Sequence, residues 1–277
     1  MCCLEASDTM GAFTEQARIV LHEPVGPGYR FLVVEAPRLA AALAPGQFVH
    51  VRVPALEASA LRRPFSVFDA EDGRVTILYK EVGRGTAALT KSAVGDTIDI
   101  MGPLGHGFPV ACRGAALLVG GGYGVAPLHF LAKRLIAADP SAKPVLFLGG
   151  RTKDDLLALD KFAALGVETR VATNDGSAGA KGFVVDPLDD ILIELREKGM
   201  PFELFTCGPD GLLKAVAHRA TGTGMPGWIS MDRHMICGVG ACFACIQRIK
   251  GPDGQPFNAR CCLNGPVFAA SDIIWSD

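Results

Sequence analysis

Three cysteines lie close together in the segment MICGVGACFACIQ, at Cys237, Cys242 and Cys245. The positions between them are filled mostly by glycine and alanine. Thiolates are the usual protein ligands of structural zinc and of iron-sulfur clusters. Small residues allow the backbone to wrap closely around such a group, so that amide groups can donate hydrogen bonds to sulfur. The segment therefore predicts a metal-binding loop.

The spacing C-x4-C-x2-C, followed by a more distant cysteine, is that of plant-type 2Fe-2S ferredoxins. Zinc is an alternative, but zinc ribbons use two short C-x2-C pairs and the second pair is missing here. Unrelated thiols in a core are the remaining alternative. Either Cys261 or Cys262 could supply the fourth thiolate. On an extended segment adjacent side chains point to opposite sides, so we expect only one of them to reach the metal.

A second group of candidate residues is found in LRRPFSV. On a strand, Arg63 and Phe65 would share one face, while Pro64 and Ser66 would share the other. An arginine can bind phosphate, and an aromatic ring can pack against a flat ring system. Together with a nearby hydroxyl group, they suit a nucleotide with a fused ring. The alternative is a surface arginine on an edge strand.

The segment YKEVGRGTAAL begins at Tyr79 and Lys80 and passes from a strand into a helix through Gly83 and Gly85. We expect Thr86 and the amides after it to be free at the start of the helix. Free amides at a helix N-terminus bind phosphate. An ordinary turn between a strand and a helix is the alternative.

A third candidate site combines two glycine-containing turns. LLVGGGYGVAPLHFL places Gly121, Gly122 and Gly124 between a strand and a helix that begins near Pro127, although the pattern differs from the G-x-G-x-x-G fingerprint. A tight turn without a ligand is the alternative. TCGPDGLL ends another strand and would bring three more residues to the same edge of a sheet, where ligands bind in open α/β folds. These residues are Cys207, Gly208 and Pro209. A lone cysteine such as Cys207 is more often a buried core residue.

The elements that position these motifs change in type along the chain. Short alternating segments such as ARIVLHE, YRFLVVEA, QFVHVRV and RVTILYK predict an antiparallel barrel of the Greek-key kind. Farther on, apolar runs alternate with helical stretches, which predicts a parallel sheet covered by helices. We expect an N-terminal extension at 1–12, a nucleotide-binding barrel domain at 13–112, an α/β domain at 113–225 and a cysteine-rich module at 226–277.

The composition excludes several classes of protein. The chain has 277 residues, 49% of them apolar, and a formal net charge of -2, so nothing favours binding to nucleic acid or to an anionic membrane. No apolar stretch approaches the roughly 20 residues of a membrane span. The odd count of nine cysteines and the absence of an export signal favour metal binding in a reducing compartment, and hence the cytoplasm.

The motifs RPFS, VGRGT, GPLGHGF, GGGYGVAPL and CGP follow the order of the ferredoxin-NADP reductase superfamily. The ending CGVGACFAC followed by CCLNGPVF resembles the electron-transfer subunits of the dihydroorotate dehydrogenases that use NAD. This resemblance implies FAD, NAD and a 2Fe-2S cluster as cofactors. It assigns FAD to Arg63, Pro64, Phe65, Ser66, Tyr79, Lys80, Gly83, Gly85 and Thr86, NAD to Gly121, Gly122, Gly124, Cys207, Gly208 and Pro209, and the cluster to Cys237, Cys242, Cys245 and Cys262.

The resemblance also implies a function in pyrimidine biosynthesis. Electrons would pass from a separate FMN-containing subunit, which oxidises dihydroorotate, through the cluster and FAD to NAD, within a heterotetramer. The chain differs from the usual pattern at Phe65, Asp232 and Asn264, where the superfamily or family has Tyr, Glu and an acidic residue. An electron-transfer subunit of a hydrogenase or of a glutamate synthase-like enzyme is the nearer alternative. A zinc-binding interaction protein is the more distant one.

Overall fold

The computed structural model of the chain describes residues 11–54 and 61–275. Residues 1–10, which make up nearly all of the expected N-terminal extension, lie outside the described residues. None of the described helices is long and apolar enough to cross a membrane.

The first part of the chain forms a closed antiparallel barrel with the strand order β1-β2-β5-β4-β3-β6, which confirms the predicted barrel. Alternation creates its core: Val75, Ile77 and Tyr79 on the fifth strand are all buried, as the two-residue period of a strand requires. The elements are β1 (Phe13–Gly26), β2 (Tyr29–Glu35), α1 (Pro37–Ala42), β3 (Phe48–Arg52), β4 (Arg63–Glu71), β5 (Arg74–Lys80), α2 (Arg84–Leu89) and β6 (Thr97–Leu104).

The second part is the predicted α/β layer, a seven-stranded sheet in the order β10-β9-β8-β7-β11-β12-β15. Its first six strands are parallel, and β11 is buried at every position, as expected of a central strand with both faces covered. The elements are β7 (Ala115–Gly121), α3 (Ala126–Ala138), β8 (Val145–Gly150), α4 (Leu159–Ala164), β9 (Glu168–Thr173), β10 (Ala180–Lys181), α5 (Val185–Glu197), β11 (Phe202–Cys207), α6 (Asp210–Thr223) and β12 (Gly227–Ser230).

The cysteine-rich end of the chain is attached to the edge of this sheet. The cysteine loop leaves β12 and leads into a two-stranded ribbon, and the chain then returns to pair antiparallel with β12. The elements are β13 (Ile246–Lys250), β14 (Pro256–Arg260), α7 (Cys261–Asn264) and β15 (Val267–Ala269). The expectation that Cys261 and Cys262 lie on an extended segment was wrong, because both belong to the single helical turn α7.

One hydrophobic core joins all three parts. Phe48 and Leu104 from the barrel pack in the same cluster as Leu117 from the sheet and the buried thiols Cys245 and Cys262. In addition, the loop after β6 contacts the loop after α7, since the amide of His106 donates to the carbonyl of Gly265 at 2.5 Å. The cysteine loop is therefore held directly against the end of the barrel.

Candidate functional site

The cysteine loop directs backbone amides towards sulfur. The amide of Ala241 lies 3.3 Å from the Sγ atom of Cys237. Burial acts to raise the pKa of this thiol, but hydrogen bonds from the amides of Val239, Cys242 and Ala241 lower it to about 6. Gly238 has a φ of 71°, a left-handed conformation that favours glycine and lets the loop curl around the sulfur. The loop therefore favours the thiolate form of Cys237.

The four predicted ligands come together as two pairs. The side chain of Cys237 lies beside that of Cys242, and the side chain of Cys262 lies beside that of Cys245. The amide of Cys262 also donates to the Sγ atom of Cys245 at 3.5 Å. Burial raises the pKa of Cys262 to about 12, although an amide hydrogen bond from Gly240 opposes the change. A 2Fe-2S cluster held only by cysteines has two thiolates on each iron, so these residues fit it.

Cys261 lies beside the same pairs but is engaged through its backbone. Its amide donates to the carbonyl of Cys245 at 2.8 Å, and its side chain is fully buried. Burial raises the pKa of this thiol to about 12, with the charge of Cys245 acting in the same direction. Within residues 11–54 and 61–275, no three His, Cys, Asp or Glu side chains surround one common point as the ligands of a single ion do.

The two arginines of LRRPFSV have different surroundings. Arg62 forms an ion pair with Asp99 at 2.6 Å. Arg63 instead packs over the beginning of α2, where a Cβ atom on Gly85 would lie 2.3 Å from its Nε atom. One guanidinium nitrogen of Arg63 also donates to the carbonyl of Leu61 at 2.8 Å. The structure thus brings together two motifs that were separate in the sequence, and glycine at 85 is needed for their contact.

The beginning of α2 differs from expectation in one respect. The hydroxyl group of Thr86 is engaged in the turn, because it accepts hydrogen bonds from the amides of Val82 at 2.9 Å and Gly83 at 3.1 Å. The amide of Ala87 donates to the carbonyl of Gly83. The first amides of α2, from Arg84 onwards, have no partner within the helix because no carbonyl precedes them in it. The amides of Arg84, Gly85 and Thr86 are therefore the available donors, whereas the hydroxyl group of Thr86 and the amide of Ala87 are already engaged.

Phe65 and Tyr79 line the barrel behind Arg63. Only 8% of the surface of Phe65 is exposed, and its ring meets that of Tyr79 edge-on at a centroid distance of 5.6 Å. Burial raises the pKa of Tyr79 to about 12, and its hydroxyl group lies 2.8 Å from the Nε2 atom of His22. Pro64 and Ser66 are half-buried on the opposite side of β4, as the strand periodicity predicted.

A polar network that the sequence analysis missed joins the barrel to the sheet. Lys80 donates to the hydroxyl group of Tyr29 at 2.9 Å, and Tyr29 donates to the Oδ1 atom of Asp155 at 2.7 Å. Arg151 donates to the other carboxylate oxygen at 3.0 Å. Burial acts to raise the pKa of Asp155, but the hydrogen bonds from Arg151 and Tyr29 hold it at about 2. No local pattern signals a pairing between residues so far apart in the chain.

The glycines of the two turns near the sheet edge serve mainly to let the turns touch. A Cβ atom on Gly124 would lie 2.4 Å from the carbonyl oxygen of Cys207, and one on Gly121 would lie 2.8 Å from the Cδ atom of Pro209. Gly208 has a φ of 154° and abuts the amide of Gly121. These distances leave no room for a side chain at any of the three glycines. Close packing of the two turns is therefore enough to explain why glycine occupies these positions.

Gly122 forms the open part of this edge. A Cβ atom on Gly122 would have only the hydroxyl group of Tyr29 nearby, at 3.9 Å, which leaves room for a ligand. Cys207 ends β11 and is buried. Burial and then the charge of Asp232 raise its pKa to about 12, so the thiol stays neutral. Tyr123 donates to Asp232 at 3.1 Å.

A flavin-type barrel, a parallel nucleotide-binding sheet and a paired cysteine loop define a ferredoxin reductase-like iron-sulfur oxidoreductase. Solved structures have the same fold. A chain of the NADH-dependent reduced ferredoxin-NADP oxidoreductase, which is described in the context of flavin-based electron bifurcation, aligns with a TM-score of 0.79 and 31% identity over 94% of this chain and 90% of that one. A cytochrome P450 reductase from Amycolatopsis aligns with a TM-score of 0.65 over 77% of this chain and 67% of that one.

Sequence comparisons identify the particular family. Residues 16–108 match an oxidoreductase FAD-binding domain, 118–218 an oxidoreductase NAD-binding domain, and 232–274 the iron-sulfur cluster binding domain of dihydroorotate dehydrogenase B. The electron transfer subunit of dihydroorotate dehydrogenase B (NAD(+)) from Bacillus caldolyticus is 44% identical over 236 residues, covering 83% of this chain and 86% of that protein. The subunit of the same name from Geobacillus sp. (strain WCH70) is 38% identical over 266 residues, covering 94% and 98%.

The chain therefore belongs to the family of electron transfer subunits of dihydroorotate dehydrogenase B. This membership confirms the resemblance inferred from the motifs, the expected fold class and the expected oxidoreductase function. It also confirms the cofactor set of FAD, NAD and an iron-sulfur cluster.

Proposed function

We propose that this chain carries electrons between NAD and the FMN of a separate subunit that oxidises dihydroorotate in pyrimidine biosynthesis. When bound, FAD exchanges electron pairs with nicotinamide and single electrons with an iron-sulfur cluster. The observation that carries the proposal is the position of the paired cysteines. Their loop shares a core with the barrel end and with the nucleotide-binding sheet, so all three parts have fixed relative positions.

In this proposal the barrel residues hold FAD. Arg63 contributes a charge-assisted hydrogen bond to phosphate, and the first amides of α2 contribute further donors beside it. Phe65 and Tyr79 form the apolar wall near the flavin, while Ser66 lies on the other face of β4. The remaining residues of the proposed FAD site chiefly shape the turn and the strand. They are Pro64, Lys80, Gly83 and Gly85. The hydroxyl group of Thr86 closes the turn rather than contacting phosphate.

At the sheet edge, Gly122 and the neutral thiol of Cys207 would face the nicotinamide nucleotide. The structure favours NAD over NADP here. Arg151, which could have received a 2′-phosphate, already donates to Asp155. The neighbouring Asp154 is exposed and would repel a second phosphate. Gly121, Gly124, Gly208 and Pro209 fix the two turns that form the site.

For the metal, we propose that Cys237 and Cys242 hold one iron of a 2Fe-2S cluster and that Cys245 and Cys262 hold the other. The surface around this loop is apolar, and large exposed apolar patches mark interaction sites. We infer that this patch docks the FMN-containing subunit and that the complex is a heterotetramer. The patch consists of Ile236, Val239, Phe243 and Leu263, which are 46%, 50%, 60% and 43% exposed.

Domain limits and location complete the proposal. We propose domain boundaries at 13–112, 113–225 and 226–277. In the last segment, β12 and β15 belong to the seven-stranded sheet of the α/β domain. We place the chain in the cytoplasm, because a thiolate-bound cluster and the free thiols of Cys112 and Cys207 suit a reducing compartment.

The test is to co-express the chain with a dihydroorotate-oxidising, FMN-containing subunit and to isolate the complex. We expect FAD, FMN, iron and acid-labile sulfide in the complex, and NAD-dependent oxidation of dihydroorotate that neither subunit performs alone with NAD. A chain that binds flavin and iron but neither associates with that subunit nor reduces NAD in its presence would contradict the proposal.

A further inference from the structure

His50 is a buried polar side chain with no assigned role. It lies on β3 with no exposed surface, and neither ring nitrogen has a hydrogen-bond partner within the described part of the chain. Buried polar groups are nearly always hydrogen-bonded, because an unpaired one has lost its contact with water without compensation. An imidazole left in this state indicates a partner beyond the described residues, such as a bound cofactor.

The ring lies on the face of β3 that meets the cluster loop. On one side, β3 pairs with β4 so that His50 is opposite Pro64, and its side chain therefore shares the face of Pro64 and Ser66 rather than that of Arg63 and Phe65. On another side, the ring contacts Gly238, which directly follows the ligand Cys237 in the cluster loop.

The polar edge of the ring faces the cluster loop. A Cβ atom on Gly238 would lie 2.6 Å from Cε1, 2.8 Å from Nε2 and 2.9 Å from Nδ1 of His50. Because Cε1 stands between the two nitrogens, these three atoms form the edge that carries the only polar groups of the ring. The absence of a side chain at Gly238 is what lets this edge reach the loop.

The protonation state of His50 is set by its surroundings. Burial lowers its pKa to about 4, and the positive charge of Arg62 acts in the same direction. The ring is therefore neutral near pH 7, with one N–H donor and one acceptor nitrogen.

We propose that His50 donates its ring N–H to a sulfur atom of the cluster held by the Cys237 loop. This inference rests on the proposed assignment of the cluster to that loop. One added electron makes the cluster more negative, so a donor on sulfur stabilises the reduced form more than the oxidised form and raises the reduction potential. His50 is a positioning residue: it keeps its proton, exchanges no electron, and holds the loop against the barrel while it tunes the cluster.

The first test measures the reduction potential of the cluster in the full-length chain loaded with FAD and iron. His50→Leu removes the donor with little change in volume, whereas His50→Gln retains an N–H group. His129→Leu is the matched control, because His129 is also a buried histidine but lies on α3 and stacks on Phe68 of β4. We expect a roughly tenfold shift of the one-electron equilibrium towards the oxidised cluster in His50→Leu, equivalent to about 59 mV.

The potential of His50→Gln should lie closer to that of the unaltered protein, and His129→Leu should leave it unchanged. If His50 had a purely structural role, the variants would differ in iron content or thermal stability, but their reduction potentials would not follow this order. An unchanged potential in a fully loaded His50→Leu variant would overturn the proposal.

The second test does not depend on a variant that loads its cluster. The unaltered chain is labelled with ¹⁵N-histidine and reduced, and pulsed EPR is used to detect coupling between the cluster spin and a histidine nitrogen. We expect coupling in the unaltered chain and in His129→Leu. A normal spectrum of the reduced cluster without ¹⁵N coupling would refute the role of His50 alone. Absence of any cluster signal and of iron would instead refute the proposed function.

Discussion

The network between the barrel and the sheet provides a quantitative test of how the two parts are held together. Asp155 is nearly buried and accepts hydrogen bonds from Tyr29 at 2.7 Å and from Arg151 at 3.0 Å. Its pKa falls from 3.8 to about 2 in the folded chain. A pKa difference of this size corresponds to a stabilisation of about 2 kcal/mol. We expect Asp155→Asn, which keeps the shape but not the charge, to lose about this amount at pH 7.

The contribution has a defined pH dependence. Because the folded-state pKa is the lower one, the stabilisation is complete above the unfolded-state pKa of 3.8 and disappears as the pH falls through about 2. The difference in unfolding free energy between the unaltered chain and Asp155→Asn should therefore be constant from pH 7 to about pH 5 and shrink below about pH 4.

Urea denaturation at a series of pH values, with excess FAD present throughout, measures this difference. Asp154→Asn is the matched control, because Asp154 is adjacent and equally charged but exposed. We expect it to change the unfolding free energy by less than about 0.5 kcal/mol. An equal loss in both variants, or a loss in Asp155→Asn that does not shrink in acid, would refute the reasoning.

Four further outcomes are expected. Cys262→Ser should lose the cluster but keep FAD and NADH-driven reduction of small artificial acceptors, whereas Cys261→Val should keep the cluster. The content of iron and sulfide per flavin distinguishes the two variants. Loss of iron in Cys261→Val alone would reverse the assignment of the fourth ligand. Arg63→Ala should weaken FAD binding by about 1.5–3 kcal/mol, and unchanged flavin content after dialysis would contradict this. Gly124→Ala should destabilise the chain by about 1–3 kcal/mol in urea and raise the KM for NADH, because its methyl group would collide with a backbone carbonyl; unaltered values would show that the turns can separate. NADH should be preferred to NADPH in catalytic efficiency, and comparable values would overturn that choice.

Much of the fold could be predicted because its signals are local. The period of two along RVTILYK predicts a barrel strand, and the helical spacing in APLHFLAKRLIAA predicts a helix that the structure places at Ala126–Ala138. The segment CGVGACFAC likewise specified a cluster loop, since the ligand spacing and the small residues lie within one short stretch. In each case the residues that carry the signal are neighbours in the chain, and backbone geometry alone relates them.

Other features were decided only by the tertiary structure. Tyr29 and Asp155 form a hydrogen bond across 126 positions of the chain, and His50 meets Gly238 only because the barrel end packs against the cysteine loop. Neither pair has a sequence pattern, since nothing local distinguishes a buried tyrosine or histidine that has a distant partner from one that has none. The prediction of an extended conformation at Cys261 and Cys262 was wrong for the same reason. Their side chains are buried in one core cluster with Cys245, and the amide of Cys261 donates to the carbonyl of Cys245, so the helical turn forms among contacts with residues distant in the chain.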